Sequence, residues 1–95
     1  MKTIAEKTYS NYNKVMSVKA SHRNWNYIVL VRVGEYYESY EEDADIVSGV
    51  CGVGQFNHRG CLLNMAVFGK DMLDVYLPKL VRAGHKVAIM DNTLA

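Results

Sequence analysis

Between Thr8 and Lys19 the apolar or aromatic positions Tyr9, Tyr12, Val15, Met16 and Val18 recur at helical spacing, which predicts a first amphipathic helix. His22, Arg23, Asn24 and Asn26 break that period, and the β-forming run Tyr27–Val33 predicts a strand. Gly34-Glu35 is a turn candidate because glycine takes a positive φ without steric cost. Tyr36-Tyr37-Glu38 then resumes the β pattern, so a hairpin is expected. Ser39 and Glu42 have capping-box spacing, with Glu41, Glu42 and Asp43 placed for a first helical turn, which predicts a helix over residues 40–47. Glycines at 49, 52, 54 and 60 punctuate the next segment. They suggest a short strand over 50–53, an exposed loop over 55–60 and a further strand over 61–68. Asp71 is placed to cap a helix whose core face carries Leu73, Tyr76, Leu77, Leu80 and Val81 and which Gly84 ends. Pro78 inside it removes one backbone donor and predicts a kink. Residues 86–90 read as a last strand. The order implies an α/β (α+β) fold with one mixed β-sheet of about five strands and about three covering helices, formed by residues 1–95 as a single domain.

Size and charge narrow the function classes. A chain of 95 residues, 49% of them hydrophobic, has one core to build, since so short a chain buries roughly 60–65% of its unfolded surface. The net charge of +1 lacks the positive excess of an autonomous nucleic-acid binder. Charge is nevertheless segregated: Lys2, Lys7, Lys14, Lys19 and Arg23 form a basic start, and Glu35, Glu38, Glu41, Glu42, Asp43 and Asp45 an acidic middle. Solvated surface and carboxylates at a helix N-terminus account for much of that pattern. Two cysteines and no apolar leader suggest a reducing, cytoplasmic setting, and the apolar run at 27–31 is far short of the ~20 residues that span a bilayer.

Two separated motifs carry a resemblance. Arg32-Val33-Gly34-Glu35-Tyr36-Tyr37-Glu38, followed by Tyr40 and by Glu42-Asp43-Ala44, resembles the MutS signature Arg-x-Gly-Asp-Phe-Tyr-Glu-Leu-Phe with its acidic helix start. Tyr76-Leu77-Pro78-Lys79-Leu80-Val81, Gly84 and Val87-Ala88-Ile89 resemble the Tyr-Leu-Ala-Lys-Leu-Val-x-x-Gly and Val-Ala-Ile segments of the same N-terminal domain. Lys19-Ala20 and His22 resemble the end of its first helix. The likeness covers residues 12–92 in the right order. It implies the MutS domain I fold, probing of duplex DNA by an aromatic wedge that falls on Tyr36, and a base-edge contact that falls on Glu38. Departures are Tyr36 for Phe, Pro78 for Ala, a shorter loop over 54–60 in which Arg59 is the firm cation, and two extra residues before Tyr27, where Trp25 stands.

A mismatch has already lost stacking and pairing, so a ring wedged beside it kinks the duplex at lower cost. Tyr36, Glu38, Arg59, Lys14 and Lys19 are therefore the expected DNA-binding residues, with Arg23 a further cation. The partner would be mispaired or distorted double-stranded DNA, bound weakly, with a larger protein assembly possible. A chain ending at Ala95 has no room for a clamp or ATPase and carries no phosphate-loop motif, so a stand-alone, non-enzymatic domain without cofactor is expected. The carboxylates of residues 35–45 lack a nucleophile beside them. Cys51, His58 and Cys61 match no common zinc spacing, so no metal is expected. The alternative is a protein-interaction module on the same scaffold that no longer reads DNA.

Overall fold

Strand β1 (Tyr27–Val33) buries side chains on both faces, Ile28 and Leu30 on one and Val29 and Val31 on the other, as its continuous aliphatic run requires. A computed structural model of the chain describes residues 4–22, 25–57 and 62–91. Within them lie α1 (Ile4–Ala20), β1, β2 (Tyr36–Tyr40), α2 (Glu42–Cys51), β3 (Gln55–Asn57), β4 (Asn64–Gly69), a 3-10 turn (Lys70–Met72), α3 (Leu73–Arg82) and β5 (Lys86–Asp91). The five strands form one mixed sheet in the order β3-β4-β2-β1-β5. β5 runs parallel to β1 and the other pairings are antiparallel. The mixed sheet and three helices are those expected from the sequence.

Helices α2 and α3 cover one face. Ala44, Val47 and Cys51 of α2 and Leu80 of α3 close over Ile28, Leu30, Tyr37, Ala66 and Phe68. On the other face α1 lays Val15 against Val29, Val31, Tyr40 and Met65. Each fully buried aliphatic side chain, such as Leu30 or Leu80, contributes ~1.5–3 kcal/mol relative to exposure.

Four boundaries depart from the sequence expectation. Ser39 does not cap α2. It lies buried in β2 and its hydroxyl donates to the Ala66 carbonyl at 2.9 Å, while Glu41 stands at the N-cap with φ 53°. A non-glycine residue in that region is strained. Three hydrogen bonds hold it there: Glu41 N–H to Asn64 O, Asp45 N–H to Glu41 O, and Asn64 N–H to Glu41 Oε1. Helix α2 also continues past Gly49 to Cys51, so the strand expected over 50–53 is its last turn, ended by Gly52 at φ 76°. The buried stripe Ala44, Val47, Cys51 outweighs the ~1 kcal/mol that one glycine costs a helix. Where a loop was expected, β3 pairs with β4, and β4 itself begins at Asn64. Asp71 sits inside a 3-10 turn and makes no cap. Pro78 lies inside α3, which runs on to Arg82; the carbonyl deprived of its donor belongs to exposed Asp74.

Asp43 joins three elements. Pairing of β1 with β2 begins at Val31↔Glu38, so Val29 has no β2 partner for its N–H. Asp43 Oδ2 accepts that N–H at 3.0 Å and also the Lys19 ammonium at 2.6 Å. The carboxylate is buried and Lys19 is half-buried. Asp43→Ala orphans a buried strand N–H and is expected to lower stability by about 2 kcal/mol, whereas Asp43→Asn keeps an acceptor and loses about half as much, read from urea denaturation midpoints.

Candidate nucleic-acid interface

Side chains of β2 alternate between the faces of the sheet, so Tyr37 and Ser39 point towards α2 and α3 while Tyr36, Glu38 and Tyr40 point to the α1 side. Helix α1 covers only part of that side. Tyr12 meets Tyr40 edge-to-face with centroids 6.1 Å apart, and Val15 packs into the same cluster. Tyr36, at the other end of β2, is 55% exposed. Its ladder partners are Val33, half-buried, and Gly69, which has no side chain to wall in the ring. A Cβ at Gly69 would meet nothing within 4 Å, so open space lies beside that backbone. Phe68, the residue before it, is buried against Tyr37 on the far face.

Glu38 is half-buried between Val31 and Val67. The Tyr40 hydroxyl donates to Glu38 Oε1 at 2.7 Å, so the strand that presents the ring of Tyr36 also presents an oriented carboxylate two residues away. The two side chains share one face and one edge of open surface.

The cations divide. Lys70 follows Gly69, the ladder partner of Tyr36, and closes on Glu35: its ammonium is 2.9 Å from Glu35 Oε2 in an exposed ion pair, and its N–H donates to the Glu35 carbonyl. The Lys70 ammonium, with Arg32 adding to it, holds the Glu35 carboxyl below the usual carboxylate range. Arg32 lies on the opposite face, over the Tyr37 ring, and its Nε donates to the Gly34 carbonyl in the turn. Lys14 is exposed on the outward side of α1. Lys19 is the counter-ion of Asp43 at the start of β1, whereas Tyr36 faces Val33, four residues and about 13 Å further along that strand. The structure thus places Tyr36 and Glu38 together and puts Lys19 elsewhere. Arg59 and Arg23 lie outside the described residues.

The contacts of this candidate surface bring in two residues that the sequence does not single out, Lys70 through Glu35 and Tyr40 through Glu38. Finding Lys70 requires the β2-β4 register, which composition does not reveal. Tyr40 was legible, since i and i+2 on a strand share a face.

Other candidate chemistry falls away from this surface. A concavity of about 480 Å³ lies around Lys19, Trp25, Tyr27, Asp43 and His85, at the start of β1. A wedge needs a protruding ring, which that hollow does not supply. Among the described residues no group of three or more His, Cys, Asp or Glu is gathered to hold a metal, and no helix is long and apolar enough to cross a membrane. His58 and Cys61 lie outside the described residues. Cys51 is buried, its thiol near the Tyr76 carbonyl at 3.9 Å, and burial pushes the thiol up while Lys79 pulls it partly back. In a Cys61→Ser variant, alkylation of Cys51 by iodoacetamide should stay slow at pH 8 and accelerate only above the range of an exposed peptide cysteine; labelling at the free-peptide rate would contradict the burial.

A family model described as MutS domain I matches residues 10–95. The chain is 48% identical over 78 residues to the DNA mismatch repair protein MutS of Parabacteroides distasonis, covering 79% of this chain and 9% of that protein. It is 40% identical over 80 residues to the MutS of Bacteroides thetaiotaomicron, covering 81% and 9%. With the MutS of Thermosipho melanesiensis it shares 35% over 87 residues, covering 92% and 10%. The chain spans about a tenth of the length of these curated relatives.

Proposed function

Because the chain belongs to the MutS domain I family, we propose that it reads mispaired or otherwise distorted duplex DNA, with Tyr36 as the wedge and Glu38 as the base-edge contact. The observation that carries this reading is the half-exposed ring of Tyr36 on open sheet surface, with a carboxylate on the same face two residues away. An intact duplex resists the wedge through its stacking; a mispaired step has lost part of it, and the kink costs less there. Glu38 sharpens the preference from the other side, since a carboxylate repels the phosphates of undamaged DNA and accepts from a base that has lost its partner.

Phosphate contacts would come from Lys70, adjacent to the wedge, with Lys14 and Arg59 as further cations. So small a set makes binding weak and strongly salt-dependent: two to four neutralised phosphates give a slope of log affinity against log salt of about −2 to −4. No ATPase or other enzymatic role is proposed for these residues. A protein-interaction module remains the second reading, favoured by the engagement of Lys70 with Glu35, which leaves the flank of Tyr36 close to neutral.

Fluorescence anisotropy at low salt, with matched duplex and duplex carrying one mismatch, separates the two. The mismatched duplex should bind more tightly, Tyr36→Phe should keep the preference, and Tyr36→Ala should lose it, by roughly tenfold for a stacking contact. Lys70→Ala should weaken both duplexes alike and flatten the salt slope by about one. Equal binding, or none, for matched and mismatched duplex would favour the interaction module.

A further inference from the structure

We propose that Tyr40 is the positioning residue that holds Glu38 in its base-reading geometry, an inference that rests on the DNA-reading function above. Tyr40 is 3% exposed, and its ring is fixed in the α1-side core by Val15, Met65 and the edge-to-face contact with Tyr12. Its hydroxyl leaves that core along the strand and donates to Glu38 Oε1 at 2.7 Å. A buried tyrosine hydroxyl needs a partner, and this one donates to the side chain that shares a face with Tyr36. The ring is anchored in the core and Glu38 stands half-buried at its margin, so orientation passes from Tyr40 to Glu38.

The chemistry of this contact has two consequences. A glutamate is rich in rotamers, and ordering it on binding weakens binding; the hydroxyl places that ordering in the folding step instead. A hydrogen donated to Oε1 also leaves the carboxylate as an acceptor, so Glu38 selects bases that present an N–H. The signature that this chain resembles carries Phe at the place of Tyr40, a ring of similar packing with no donor. Tyr40→Phe is therefore a substitution the core tolerates, since it keeps the ring and removes only the hydroxyl.

The test compares three duplexes by anisotropy at low salt: fully matched, with one unpaired thymine, and with N3-methylthymine in its place, which lacks the ring N–H. The native chain should prefer thymine to methylthymine by roughly three- to tenfold, the net worth of one hydrogen bond at a solvent-accessible site. Tyr40→Phe should reduce that ratio below about twofold while keeping the fold, by circular dichroism, and the preference for unpaired over matched duplex. In a Glu38→Ala background the same substitution should change nothing, because the coupling runs through the carboxylate. If Tyr40→Phe keeps the native ratio, or shifts it equally without Glu38, the positioning role is overturned while lesion reading stands. If the native chain does not distinguish unpaired from matched duplex, lesion reading itself fails and the role of Tyr40 fails with it.

Discussion

The alternation of β2 governs both the core and the candidate interface. All five residues of β2, Tyr36 to Tyr40, pair with β4 and the first three, Tyr36 to Glu38, pair with β1 as well, so the strand is held in register from both sides where it carries Tyr36 and Glu38. A slip of one residue would carry Tyr37 out of its contact with Phe68 and put Tyr36 and Glu38 among Leu30, Ala66 and Leu80. Burying a carboxylate there without a partner costs several kcal/mol, so the register that protects the core also fixes which ring faces outward. Exposure of Tyr36 is thus a consequence of packing on the other face.

Each end of that strand is secured by a different device. At the Tyr36 end the Gly34-Glu35 turn takes a positive φ at Gly34, and the Lys70 backbone and ammonium both close on Glu35. At the Tyr40 end the chain turns through strained Glu41 into α2, and Asp43 ties the first turn of that helix to β1 and to α1. The strain at Glu41 is offset by its hydrogen bonds to Asn64 and Asp45, which anchor the turn to β4 and α2. Position 36 therefore projects from a rigid frame, and little ordering remains to oppose its use in binding.

Much of this was legible in the sequence. β1, the β1-β2 hairpin, α3 with its Gly84 stop, and β5 all follow from local periodicity and glycine placement, because their neighbours in the sheet reinforce what their own residues prefer. The departures occur where a tertiary partner overrode a local signal. Ser39 carries a capping signal, yet its hydroxyl finds the Ala66 carbonyl of β4. Asp43 fits the acidic start of a helix, yet it is a buried acceptor for Val29 and Lys19. The inner face of α1 is rotated from the expected one: Thr8, Asn11 and Val15 are buried, while Tyr9 and Met16 are exposed and the Tyr9 hydroxyl accepts from Leu62 N–H. Tyr36 and Glu38 could be named as neighbours from strand alternation alone, but which lysine stood beside them depended on a register across β4.

The same distinction bears on charge. The resemblance makes Lys14, Lys19 and Arg23 candidate cations for a polyanion, but Lys19 is committed to Asp43, and a committed lysine releases no counterion on binding DNA. Lys70, next in sequence to the ladder partner of Tyr36, shares its ammonium with exposed Glu35, and the pair is weak enough for a phosphate to compete with it. On the proposed reading, electrostatics then supplies little attraction to duplex in general. Discrimination would fall on the ring and on the oriented carboxylate, both of which gain only where a base pair has already failed. A surface of this kind trades affinity for selectivity: cations added around Tyr36 would strengthen binding to every duplex, matched or not, and reduce the share of binding energy that depends on the lesion.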